Sequence, residues 1–83
     1  MEISDALKPA DLVKITVFGP DGSNLYHAAD TGYHSILLAI KDVFDKSGLD
    51  VNPQDCSFEV TNESKGVTHQ YRLNAHGNLK LIV

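Results

Sequence analysis

Val13, Ile15 and Val17 alternate with Lys14, Thr16 and Phe18. A period of two is the signature of a strand with one face buried. Gly19-Pro20-Asp21-Gly22-Ser23 comes next. Proline presets φ there and glycine accepts positive φ, so the chain turns back. The first strand is thus expected over residues 12–18 and a short second strand over 24–28. Helical spacing then takes over. Tyr33, Ile36, Leu37, Ile40, Val43 and Phe44 recur at intervals that form one apolar stripe, which Leu38 and Ala39 widen. Asp30, Thr31 and Ser35 are candidate N-caps. Gly48 followed by Leu49 predicts the stop, with glycine left-handed and leucine folding back on the last turn. Asp42 and Lys46, four apart, predict a surface ion pair.

Strand periodicity returns in the second half of the chain. Asn52-Pro53-Gln54-Asp55 predicts one capped helical turn. Cys56, Phe58 and Val60 then alternate with Ser57, Glu59 and Thr61. Val67, His69, Tyr71 and Leu73 alternate with Thr68, Gln70 and Arg72, and Leu79, Leu81 and Val83 with Lys80 and Ile82. Asn62-Glu63-Ser64-Lys65-Gly66 and Asn74-Ala75-His76-Gly77 supply the turns between these three strands. Residues 1–11 read as a poorly ordered lead-in, in which Pro9 limits any helical turn capped by Ser4 or Asp5. Residues 12–83 read as a single α+β domain of order ββαβββ, with one helix packed on a mixed five-stranded sheet.

That order resembles the β-grasp, or ubiquitin-like, arrangement. The resemblance covers residues 12–83 in topology and rests on no residue motif. It implies a sheet order of 2-1-5-4-3, with the last strand parallel to the first. The conjugating members of that fold end in a mobile Gly-Gly tail. This chain reads Lys80-Leu81-Ile82-Val83 inside an apolar alternation, so neither conjugation nor sulfur transfer is expected. Its iron–sulfur members need a set of cysteines, and the single cysteine here excludes them.

Composition narrows the function classes. The chain has 83 residues, 42% of them hydrophobic and 22% charged, as in an ordinary globular domain. A chain this short buries only about 60% of its unfolded surface, which leaves little room for a deep catalytic cleft. The net charge is −4, and the seven basic residues are scattered. Phosphate neutralisation, the basis of nucleic-acid binding, has no basic run to work with. One cysteine excludes an internal disulfide, and Met1-Glu2-Ile3-Ser4-Asp5 lacks the basic start and apolar core of a signal peptide. No apolar stretch approaches a membrane span. A cytoplasmic location, without membrane or nucleic-acid partners, is expected.

Candidate chemistry is sparse. His27, His34, His69 and His76 are available as ligands, but none has tight zinc-ligand spacing. Cys56 lies on the apolar side of its strand, as a structural thiol does. Gly19 and Gly22 do not make a phosphate loop, since they lead into a strand rather than a helix. Asp21 and Asp30 form no recognisable carboxylate couple. No catalytic, cofactor-binding or metal-binding residue is therefore assigned. Phe18 and Ile82 fall off the main apolar register, on the face opposite Val13, Ile15 and Val17. The leading expectation is a small non-enzymatic interaction module. It would bind another protein through the exposed sheet face and the edge of the second strand, using Lys14, Thr16, Phe18, Tyr26 and Ile82. The alternatives are a metal- or small-ligand-responsive domain using the histidines, or an accessory subunit of an enzyme complex.

Overall fold

A computed structural model describes residues 6–82. The elements are β1 (Val13–Phe18), β2 (Asn24–Asp30), α1 (Ile36–Ser47), a short 3-10 turn (Pro53–Asp55), β3 (Ser57–Asn62), β4 (Val67–Leu73) and β5 (Leu79–Leu81). They build one five-stranded antiparallel sheet with α1 packed on one face, an α+β architecture.

The strand order is β2-β1-β3-β4-β5. This corrects the expected mixed sheet of order 2-1-5-4-3. β1 lies between β2 and β3, and β5 pairs with β4. The parallel partnership of first and last strands, which the β-grasp order requires, is not formed among the described residues. Strand length explains the choice. β1 has six residues whose N–H and C=O groups all need partners. β3 also has six and pairs along its whole length, from Val13 opposite Asn62 to Phe18 opposite Ser57. The three residues of β5 would have left much of β1 unpaired.

Within each element the local signals behave as simple physics requires. Ser35 is the N-cap, and its Oγ accepts from the Leu38 N–H at 3.1 Å. Gly48 ends the helix at φ 67°, a left-handed conformation strained for other residues. Leu49 folds back against the core. Asn52 caps the 3-10 turn by accepting from the Gln54 N–H at 3.0 Å. β2 runs two residues further than expected, because Ala29 and Asp30 pair with Lys14 and Val13.

The core is the layer between α1 and the sheet. Ile36, Ala39, Ile40 and Val43 meet Val13, Ile15, Val17, Phe58 and Val60 there, with Tyr71 and Leu73 at the side. Phe44 sets its ring edge to Phe58, with centroids 6.3 Å apart. Leu38 does not join the stripe it was expected to widen, and is 54% exposed. It lies on the side of α1 away from Ile36, Ile40 and Val43, which shows that the apolar stripe in the sequence is wider than the contact.

The described part of the lead-in hydrogen-bonds to the rest of the chain. Ala6 bridges to Ser35, and the Leu7 N–H donates to the His34 carbonyl at 3.0 Å. The Gly32 N–H reaches the Pro9 carbonyl at 2.7 Å. Asp11 is buried and accepts from the Asn62 side-chain amide at 3.1 Å. That bond, followed by one from the Lys8 N–H, holds the Asp11 carboxyl below its ordinary range. Residues 1–5, including the Ser4 and Asp5 cap candidates, lie outside the described residues, as does Val83.

Candidate interaction surface

The face of the sheet opposite α1 carries no covering layer among the described residues. Its rows follow from the strand register. His27, Thr16, Glu59 and Gln70 lie side by side across β2, β1, β3 and β4. Ile82 continues the row beyond β5, its N–H donating to the Gln70 carbonyl at 2.8 Å. Ala29, Lys14, Thr61 and Thr68 make the next row. Thr61 and Thr68 share a hydroxyl hydrogen bond of 2.8 Å, and Lys14 Nζ stands 4.0 Å from Glu63 Oε1. The face is broad, polar and mixed in sign.

Lys14, Thr16 and Phe18 lie together on this face along β1, with Phe18 half-buried. Ile82 is on the same face and 42% exposed. It stands three strands from β1, about 14 Å at the usual strand spacing. Tyr26 is not on this face. It pairs with Val17 and packs, half-buried, against the core. The cause is a one-residue bulge. Phe18 pairs with Asn24, yet Val17 pairs with Tyr26, so Leu25 is the extra residue. A regular hairpin would have set Tyr26 beside Thr16, and the bulge turns it to the other face. Leu25 leans over Gly19, where an added Cβ would come within 3.0 Å of Leu25 Cδ1. A side chain at residue 19 would require Leu25 to give by a few tenths of an ångström.

β2 is a full edge of the sheet. Six of its seven residues pair with β1 on one side, and it meets no strand on the other among the described residues. Proteins commonly blunt such edges with lysine, proline or a short strand. β2 contains neither residue, and its bulge sits at one end.

On the helix side the sheet is only partly covered. Inward-facing Val67 is 43% exposed and Leu81 39%. Two shallow recesses follow the seam between α1 and β4. One, of about 140 Å³, is lined by residues including Leu7, Ile36, Val67 and His69. The other, of about 250 Å³, is lined by residues including Phe44, Pro53 and Leu73. Neither contains a pair of converging catalytic groups. Alternation alone did not distinguish these exposed positions from buried ones.

The histidines do not converge. His27 lies on the open face at the β2 edge, His34 before α1, His69 on the helix side of β4 and His76 in the β4–β5 turn. No group of three histidine, cysteine or acidic residues able to hold a metal occurs among the described residues. Cys56 is fully buried with its Sγ 3.6 Å from the Asn52 carbonyl, and burial pushes its thiol up from the ordinary value. A thiol protonated in this way is a poor nucleophile. Asp21 is engaged locally, accepting from the Ser23 N–H and hydroxyl, and Asp30 accepts from the Thr31 N–H.

The flank of α1 nearest β2 holds a small polar network. The Tyr33 hydroxyl donates to Asp42 at 2.7 Å, and Lys46 pairs with the same carboxylate at 3.0 Å. Desolvation, helped by the Asp42 acceptor, pushes the Tyr33 phenol up to about 12. Among the described residues no helix is long and apolar enough to cross a membrane. No family model matches the chain, and neither a curated protein nor a solved structure matches it.

Proposed function

We propose that this chain is a small non-enzymatic protein-interaction module of the cytoplasm, binding a protein partner through the open sheet face and the β2 edge. The observation that carries the reading is the edge of β2, a seven-residue strand without lysine or proline that meets no further strand, beside a face with no covering layer, among the described residues. Unpaired N–H and C=O groups offer a partner strand main-chain hydrogen bonds, and neighbouring side chains supply selectivity. Lys14, Thr16 and Phe18 are the contact residues nearest that edge. Ile82 extends the surface along the Thr16 row. Tyr26, on β2, packs toward the core and contributes through the strand edge rather than the open face.

Affinity capture with the immobilised chain tests this, with captured proteins quantified against two variants. Phe18→Ala combined with Lys14→Glu is expected to deplete the specific partner about tenfold or more, the scale of a lost contact of ~1.4 kcal/mol. Leu81→Ser, on the other face, is expected to leave capture unchanged. Equal capture by the folded Phe18/Lys14 variant would refute the face as the contact surface.

A further inference from the structure

We propose that the β2 edge is occupied by a second copy of this chain, forming a two-fold dimer with one continuous ten-stranded sheet. This rests on the edge-binding part of the reading above and names its occupant. The warrant is self-complementarity. Two antiparallel strands in one sheet are related by an axis perpendicular to it, so each residue meets one on the same face. Centred on His27, β2 sets Tyr26 opposite Ala28 of the other copy on the helix side. It sets Leu25 opposite Ala29 on the open side. His27 meets its own copy on the axis, and on either side of it a large side chain meets a small one. Moving the centre to Tyr26 opposes two tyrosines. Moving it to Ala28 opposes two alanines and sets Tyr26 against Asp30.

A second observation points the same way. α1 lies against β1 and β2, so joining two β2 edges sets the two helices antiparallel on the same side of the joint sheet. The flank they turn to each other carries Asp42 and Lys46. Under the two-fold axis, the acid of one helix approaches the base of the other. The open faces of both copies remain free and become continuous across the junction.

Sedimentation equilibrium up to about 200 μM tests the assembly, a range that detects weak dimers. The expected mass is that of two 9.1 kDa chains. Ala29→Lys, at a position exposed in the single chain, is expected to weaken the dimer at least about tenfold, since an inserted edge lysine opposes strand pairing. An unchanged circular dichroism spectrum confirms that this variant folds. Register is read with single cysteines, because native Cys56 is fully buried. The His27→Cys variant is expected to link to itself through a short thiol crosslinker, and the Ala28→Cys variant is not.

A chain monomeric across the whole range overturns the proposal, as does a dimer indifferent to Ala29→Lys. Self-linkage of the Ala28→Cys variant rather than the His27→Cys variant overturns the register. A monomer whose capture still depends on Phe18 and Lys14 sinks the dimer and leaves the partner reading standing. A dimer indifferent to those substitutions in capture does the reverse.

Discussion

Beneath α1, β1 and β3 bury every inward side chain: Val13, Ile15, Val17, Phe58, Val60 and Asn62. Beside it, β4 buries Tyr71 and Leu73 but leaves Val67 and His69 exposed, and β5 leaves Leu81 exposed. The strands alternate in the same way, so the difference lies in what stands above them. Five strands span about 19 Å from first to last axis at the usual spacing. One helix with its side chains is about 10–12 Å across. A single helix therefore covers roughly half the sheet, and its position over the middle strands β1 and β3 decides which half becomes core. Burial in this fold is a property of the pair of layers, whereas alternation is a property of one strand.

The sharpest way to break that comparison is to truncate one large residue in each half. Phe58 is fully buried against Phe44. Phe58→Ala is expected to destabilise the domain by about 3–5 kcal/mol, through lost transfer energy and the cavity left behind. Leu81→Ala, on the same side of the sheet, is expected to cost under about 1 kcal/mol. Urea unfolding with a common m-value reads both. If Phe58→Ala unfolds the chain outright, Phe58→Leu replaces it and should still exceed Leu81→Ala. Equal costs would mean that the β4–β5 half is covered after all.

A smaller effect tests how the covered half is closed at its upper end. Asn62 occupies an inward position of β3 and donates to buried Asp11, tying the lead-in to the sheet. Asn62→Ala is expected to lower the thermal midpoint by about 5 °C, the scale of one lost buried hydrogen bond in a domain of this size. The pH dependence has a definite sign. The Asp11 carboxyl sits below its ordinary value of 3.8 when folded, chiefly through the Asn62 bond. Its contribution is therefore present above about 3.8, the unfolded value, and is lost as pH falls through the lower folded value. Between pH 5 and about 2 the wild type should lose stability more steeply than Asn62→Ala, measured by thermal melts at each pH.

Much of the local structure was legible because its causes are local. Ser35, Gly48 and Asn52 act within one helical turn of themselves, and alternation correctly divides Val13, Ile15 and Val17 from Lys14, Thr16 and Phe18. The sheet order was not legible, because alternation assigns faces and leaves neighbours open. Strand length decided between β3 and β5 as the partner of β1. The face taken by Tyr26 was not legible for a related reason. The extra residue, Leu25, is invisible to a count of alternating positions, and a single bulge exchanges the two faces of β2. Leu38 shows the limit on the helix, where a broad apolar stripe meets a narrow contact. The β2 edge was legible, because β2 is terminal in the expected order and in the observed one alike.

The finest test holds side-chain shape constant and changes only the layer above. Val60 and Val67 are both inward-facing and β-branched, on adjacent strands, and are 4% and 43% exposed. Valine to threonine keeps the volume and the χ1 restriction, so strand propensity changes little. It replaces one methyl with a hydroxyl that needs a hydrogen-bond partner. At Val60 the hydroxyl is shut between β3 and α1, and Val60→Thr is expected to cost about 1–3 kcal/mol. At Val67 water reaches the site, so Val67→Thr should stay within about 0.5 kcal/mol of wild type. Urea midpoints at constant m resolve the two. A Val67→Thr cost equal to that of Val60→Thr would place a second covering layer over β4 in solution, because no intrinsic preference of the strand separates the two positions.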